Sequence, residues 1–180
     1  MIQLHRFTTE YIEIEDRIRI GGESDENEKI VLWLTQRLLL QIVSHLLGLI
    51  EKKSSSASKK PASQSPASNL LQSFEQQAAQ ASLSPELPVE TSVATQNWLV
   101  QEVDIALNPE GALIFIFKRV VGDAAELEDT DKATLSVEAK QLRQWLGILH
   151  AIWQKAGWPL GIWPSWMDEL SPADTDNALH

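Results

Sequence analysis

The chain contains no cysteine, a single tyrosine, two methionines and only eight glycines in 180 residues. The absence of cysteine excludes a disulfide framework, a thiolate metal site and a thiol nucleophile. Basic residues are also few, since 15 lysines and arginines stand against 25 aspartates and glutamates and leave a net charge of −10. Nucleic-acid affinity depends mostly on neutralising phosphates with lysine and arginine, so a nucleic-acid partner is not expected.

Motifs for catalysis, cofactors and metals are missing as well. The sequence has no GxSxG serine, no glycine-rich phosphate loop and no pair of histidines at HExxH spacing. The histidines are far apart in the sequence, at His5, His45, His150 and His180. Acidic residues concentrate in Glu23–Glu28 and Asp123–Asp131 without EF-hand spacing, which is typical of solvated loops. We therefore expect no catalytic residue, no cofactor and no metal.

The N-terminal residues lack the charged, apolar and small-residue regions of a secretory signal. The longest apolar stretch, Ile30–Ile50, is interrupted by Arg37 and His45. Because a charge in mid-span costs about 3 kcal/mol on insertion scales, we interpret this stretch as a strand followed by a buried amphipathic helix. These features predict a cytoplasmic protein without membrane attachment.

Two patterned blocks are separated by a segment of low complexity. Residues 52–68 consist mostly of serine, alanine, lysine and proline, which cannot bury enough apolar area to offset the entropy lost on ordering. A short helix is predicted from Asn69 to Leu83, but it is too polar for a core element. The predicted organisation is a first block over residues 1–51, a tether with this short helix over 52–94, a second block over 95–167 that shares a core with the first, and an acidic tail over 168–180.

The first block has the pattern of a β-hairpin followed by a helix. Apolar and charged residues alternate over Tyr11–Ile20 with the period of a strand. A Gly-Gly turn and a charged run follow, and Lys29–Leu34 is then predicted as a buried returning strand. Thr35 caps an amphipathic helix that extends to about Ile50.

The second block repeats this order. Trp98–Leu107 and Ala112–Val121 are predicted as two strands joined by a type I turn, and a helix is predicted from Ser136 to about Ala156. Aligned without gaps, the apolar positions of the two helices coincide, which suggests a duplicated ββα unit. The expected fold is α+β, an antiparallel sheet built from two β-hairpins with two amphipathic helices packed on it.

Tryptophan is concentrated near the C-terminus. Five of the seven tryptophans fall within 22 residues, at Trp145, Trp153, Trp158, Trp163 and Trp166. Large aromatic side chains are seldom left exposed, so the Trp-Pro segment from Trp158 to Trp166 is expected either to pack back on the last helix or to bind a partner. Its three tryptophans, Trp158, Trp163 and Trp166, are the candidate interaction surface.

The function predicted from these features is non-enzymatic. We expect a cytoplasmic protein–protein interaction module, an adaptor or assembly factor that binds a protein partner or associates with itself. One alternative is a small enzyme whose carboxylate and histidine site is assembled only in the fold. Another is a binder of an apolar small molecule in a pocket lined by tryptophan.

Overall fold

The computed structural model describes residues 1–57, 66–84, 86–119 and 131–168. In these residues the strands are β1 (Ile2–Ile12), β2 (Arg17–Ser24), β3 (Lys29–Leu34), β4 (Gln96–Leu99), β5 (Glu102–Leu107), β6 (Leu113–Lys118) and β7 (Lys132–Val137). The α-helices of the same residues are α1 (Gln36–Ala57), α2 (Pro66–Ala81), α3 (Ala139–Lys155) and α4 (Ser165–Asp168). No described helix is long and apolar enough to cross a membrane.

The seven strands form one mixed sheet in the order β4-β3-β2-β1-β7-β6-β5. Two antiparallel meanders, β1–β3 and β5–β7, lie side by side in this sheet. A parallel pair joins them, with Ile2 of β1 opposite Ala133 of β7. A second parallel pair adds β4 beside β3, with Ile30 opposite Gln96. Both halves of the sequence therefore contribute strands to the same sheet.

This topology corrects the predicted antiparallel sheet of two hairpins. The β2–β3 and β5–β6 hairpins are present, and the fold is α+β, but β1, β4 and β7 enlarge the sheet and two of its pairings are parallel. Three strands, β1–β3, precede α1, and four, β4–β7, lie between α2 and α3, so the ββα unit is also incorrect. Parallel pairing joins segments that are distant in sequence and leaves no local turn signal, unlike a hairpin.

A second correction concerns the strand predicted over Tyr11–Ile20. The chain leaves the sheet after Ile12, forms a 3-10 turn over Glu13–Glu15, and returns at Arg17. Asp16 takes a left-handed conformation with φ of 47° at this reversal. Ile14, which the alternation over Tyr11–Ile20 predicts on the apolar face of a strand, is 92% exposed, because the turn removes it from the strand register.

The core lies between one face of the sheet and helices α1 and α3. Leu39, Leu46, Leu146 and Leu149 on the helices are fully buried. The ring of Trp145 on α3 meets strand residues, edge to face, at Phe7 and Phe115. These contacts come from the apolar stripes that the 3.6-residue period predicts.

The two long helices begin with different caps. In α1 the Oγ1 of Thr35 accepts a hydrogen bond from the backbone N–H of Leu38, as the sequence predicts. In α3 the cap is Glu138 rather than Ser136, and a reciprocal capping box pairs it with Gln141. Ser136 belongs to β7, so the cap of α3 lies two residues later than predicted.

The opposite face of the sheet is partly covered by the segment before β4. Val89 is buried there, and its backbone N–H donates a hydrogen bond to Oγ1 of Thr8 at 2.8 Å. A Cβ on Gly21 would lie 2.6 Å from Cγ2 of Thr91. Glycine at this position of β2 thus allows the segment to cross the sheet closely.

Candidate functional site

Helix α2 buries polar side chains and exposes large apolar ones, unlike an ordinary surface helix. Its inward positions include Gln72, Ser73 and Gln76, and Gln76 has no exposed surface. Its large apolar side chains point outward, with Leu70 70%, Phe74 67% and Leu71 50% exposed. A surface helix normally buries its apolar stripe and exposes its polar face. In α2 these two faces are reversed.

The inward face is held to α3 by amide side chains that bind backbone carbonyls. The Nε2 of Gln76 donates to the carbonyl of Arg143 at 2.7 Å. The Nε2 of Gln80 donates to the carbonyls of Arg143 at 3.2 Å and Gln144 at 3.1 Å. In return, the Nε2 of Gln144 donates to the carbonyl of Ala79 at 3.0 Å. A polar helix face can therefore pack here, because its buried groups find partners.

Gly147 makes room for this packing. A Cβ at Gly147 would lie 2.0 Å from Nε2 and 2.6 Å from Cδ of Gln80. Glycine in a helix interior is about 1 kcal/mol less favourable than alanine, and here it lets the side chain of Gln80 lie directly on the α3 backbone. The glycine of α3 and the glutamines of α2 are thus two parts of one contact.

Arg143 supplies the only positive charge in this contact among the described residues. Its Nη2 donates to Oε1 of Gln72 at 2.7 Å and to the carboxylate of Glu75. Burial lowers the pKa of Arg143, and the negative charge of Glu75 opposes that shift; an arginine nevertheless stays charged at neutral pH. Within the part of the chain that is described, Nη1 of Arg143 and Oε1 of Gln76 are buried without a hydrogen-bond partner.

The outward face of α2 is a continuous apolar stripe. We define the α2 stripe as Ala67, Leu70, Leu71, Phe74, Ala78 and Ala81, all of which are exposed. They recur every three or four residues along the helix, which places them on one side. Glu75 is the only ionisable residue in α2, and its charge is engaged by Arg143. The stripe is therefore apolar along its length and without an unpaired charge.

The Trp-Pro segment is arranged differently, because Trp158, Trp163 and Trp166 are all buried. The ring of Trp153 on α3 makes edge-to-face contacts with Trp158 at 4.9 Å and with Trp163 at 5.7 Å. The role of these three tryptophans as an interaction surface remains a prediction. A partner that used them would first have to displace the segment from α3.

An acidic clamp at the β1–β2 turn holds the start of that segment. One carboxylate oxygen of Asp16 accepts hydrogen bonds from Nε1 of Trp158 and from the hydroxyl of Tyr11, each at 2.9 Å. The Tyr11 ring also packs against Trp158, edge to face. The hydrogen bond from the Tyr11 hydroxyl to Asp16 is the main cause of the raised pKa of Tyr11.

The described histidines and acidic residues are not assembled into one site. His5 lies 3.4 Å from Asp25, and Glu23 lies 2.6 Å from Arg6, both at the β2–β3 end of the sheet. His45 is exposed on α1, whereas His150 is buried beside Trp163. No group of three or more potential metal ligands occurs among the described residues. His180 and residues 120–130 of the second acidic run lie outside them.

The sequence predicts a short helix in this region that is too polar for a core element. The helix runs from Pro66 to Ala81 rather than from Asn69 to Leu83, and its polar side is the buried one. One signal was available, because Gly147 interrupts an otherwise strongly apolar and helix-favouring pattern in α3. A glycine there indicates close approach by another element.

Comparisons of the chain with protein-family models, curated proteins and solved structures gave no match.

Proposed function

We propose that this protein is a non-enzymatic protein–protein interaction module, and that the α2 stripe is its binding surface. The observation that supports this most strongly is the reversed orientation of α2. Helix α2 is held by its glutamines, whereas its leucines and phenylalanine lie in solvent. Those apolar side chains therefore contribute little to the stability of the fold. Exposed apolar patches on folded proteins are typical of sites where another protein binds.

The stripe carries enough exposed apolar surface to contribute to binding. Complete burial of a leucine or phenylalanine side chain contributes about 1.5–3 kcal/mol, and Leu70, Leu71 and Phe74 are each half or more exposed. Together they supply a few kcal/mol before the costs of association. Ala67, Leu70, Leu71 and Phe74 lie at i, i+3, i+4 and i+7, the spacing of a single apolar helix face.

The enzyme alternative has less support in the described residues. Glu10 and Glu23 are engaged in ion pairs with Arg19 and Arg6. The small-molecule alternative is not favoured either, because the indole rings around Trp153 contact one another directly. We place the proposed interaction in the cytoplasm, in keeping with the sequence features described above.

The proposal is tested by a capture experiment with matched variants. The full chain is immobilised and incubated with lysate of its native host, to which a differently tagged copy of the chain has been added. The test variant is Phe74→Glu. The control is Leu107→Glu on β5, because Leu107 is 69% exposed and Phe74 is 67% exposed, so both substitutions leave the core untouched.

We expect the wild type and Leu107→Glu to retain at least one common protein that Phe74→Glu loses. All three chains should have the same melting temperature, since neither position is buried. If Phe74→Glu retains the same proteins as the wild type, the stripe is not the binding surface and the proposal is wrong.

A further inference from the structure

We infer that the partner of the α2 stripe is the α2 stripe of a second copy of this chain, with the two helices antiparallel about a two-fold axis near Phe74. This inference depends on the proposed function and names the occupant of the same surface. Three properties of the stripe support it: its sequence, its charge and the way α2 is attached to the protein.

The sequence of the stripe is complementary to itself when reversed. Its large residues, Leu70 and Leu71, lie in the first half of α2, and its small residues, Ala78 and Ala81, lie in the second half. Antiparallel pairing centred on Phe74 places Leu70 opposite Ala78 and Ala67 opposite Ala81. At positions 70 and 78 a large side chain thereby meets a small one, as close packing requires, and at positions 67 and 81 two alanines allow close approach. Parallel pairing would instead place leucine opposite leucine at position 70 and alanine opposite alanine at position 78, so that one spacing of the helices could not fit both contacts.

The charge distribution allows two copies to approach through this surface. The protein has a net charge of −10, so most contacts between copies bring like charges together. In α2, however, Glu75 is the only ionisable residue and is paired with Arg143. The stripe is thus a surface on which this acidic protein can meet itself without that repulsion.

The attachment of α2 favours a helix over a groove as the partner. The glutamine side of α2 is occupied by α3, and α2 also contacts α4. A deep groove needs access to much of a helix's circumference, which these contacts deny. A docked helix with one apolar stripe exposed is instead suited to pack against a second helix. Isologous pairs of this kind are the commonest form of self-association.

The extent of the contact predicts a weak dimer. Sixteen helical residues span about 24 Å, and a pair of such helices buries less than the roughly 1,200 Å² of a standard stable interface. We therefore expect a dissociation constant between about 10 μM and 1 mM. The protein should be monomeric when dilute and reversibly dimeric when concentrated.

Sedimentation velocity of the full chain tests self-association. From about 5 to 500 μM the wild type and the control Leu107→Glu should shift reversibly from monomer to dimer, whereas Phe74→Glu should remain monomeric. The swapped variant Leu70→Ala/Ala78→Leu keeps one large and one small residue opposite each other. It should dimerise more strongly than Ala78→Leu alone, which places two leucines at the same contact.

Orientation is tested by crosslinking, since the natural chain has no cysteine that would react in the background. Positions 67 and 81 are 14 residues apart, or about 21 Å along the helix, far beyond the reach of a disulfide. A mixture of Ala67→Cys and Ala81→Cys chains should therefore form crosslinked heterodimers on oxidation. Neither variant alone should crosslink efficiently.

Each other outcome counts against the inference in a defined way. Efficient crosslinking of each variant with itself would mean a parallel pair and would overturn the antiparallel arrangement. A chain that stays monomeric at about 500 μM would overturn self-association altogether. If Phe74→Glu nevertheless loses a different protein in the capture experiment, the proposed function stands with another occupant; if it loses none, both are wrong.

Discussion

Replacing Gly147 by alanine separates two opposing effects at the α2–α3 contact. Alanine is about 1 kcal/mol more favourable than glycine inside a helix. However, the new Cβ would lie 2.0 Å from Nε2 of Gln80, so that side chain must move. It would then lose its hydrogen bonds to the carbonyls of Arg143 and Gln144. At about 0.5–1.5 kcal/mol each, these bonds contribute about 1–3 kcal/mol.

The net effect of Gly147→Ala on the free energy of unfolding should therefore lie between zero and about 2 kcal/mol of destabilisation. In a Gln80→Ala background the obstructing side chain is absent, and the same substitution should stabilise by about 1 kcal/mol. The two substitutions are thus coupled by about 1–3 kcal/mol. Denaturant unfolding of the four proteins measures this coupling, and hydrogen exchange of the α2 amides shows whether the loss is local.

Gly48 in α1 provides the control, because a Cβ at that position meets no atom within 4 Å. Gly48→Ala should stabilise the wild type by about 1 kcal/mol through helix propensity alone. If Gly147→Ala stabilises the wild type as much as Gly48→Ala does, Gln80 does not lie on Gly147. The polar attachment of α2 would then be wrong.

Two further predictions concern the acidic clamp, formed by Asp16 with Tyr11 and Trp158, and the core. Tyr11 is the only tyrosine, so the change in ultraviolet absorbance during a pH titration reports its ionisation alone. The pKa of Tyr11 should be above the usual value of about 10. Asp16→Asn should lower this pKa, because the hydrogen bond to Asp16 is the main cause of the shift. Because the pKa of Tyr11 is raised in the folded state, the stability that its hydrogen bond to Asp16 contributes is present below about pH 10 and is lost as the pH rises through the folded-state pKa. An unchanged pKa of Tyr11 in Asp16→Asn would refute the acidic clamp. Leu46→Asp and Leu149→Asp each place a charge at a fully buried position and should cost several kcal/mol, seen as loss of soluble protein or a large fall in melting temperature. A normal melting temperature in either variant would contradict the packing of that helix on the sheet.

Local patterns in the sequence were enough to predict the two long helices and the pairings of β2 with β3 and of β5 with β6. The bounds of the first arms were wrong, because Gly21 and Gly22 lie in β2 rather than in a turn, and Trp98 and Leu107 belong to the separate strands β4 and β5. The turn Asn108–Gly111 and the stripe that includes Leu39 and Leu46 depend on residues close together in the chain. Strand β7 was missed because its sequence, Lys132–Val137, is short and ends beside the helix, where Ser136 resembles a cap. Parallel pairing of β1 with β7 was missed because it joins Ile2 to a residue more than a hundred positions away.

The orientation of α2 could not be predicted from its own sequence. Periodicity shows that a helix has two different faces, but it does not show which one is buried. Here the decision depends on α3, where Gly147 exposes the backbone and the carbonyl of Arg143 accepts hydrogen bonds from Gln76 and Gln80. Trp158, Trp163 and Trp166 are the candidate surface predicted from the sequence because tryptophan is concentrated there, and that concentration does not distinguish packing on α3 from binding a partner.

The orientation of α2 is tested most directly by the reactivity of single cysteines placed along it. The natural chain has no cysteine, so variants at Leu70, Phe74, Gln72 and Gln76 each carry one thiol, and its rate of modification by a disulfide reagent reports exposure. At concentrations where the chain is monomeric, we predict fast modification of cysteine at 70 and 74 and strong protection at 72 and 76. Protection at 70 and 74 with fast modification at 72 and 76 would mean that α2 buries its leucines in the ordinary way, and the α2 stripe would not exist as a binding surface.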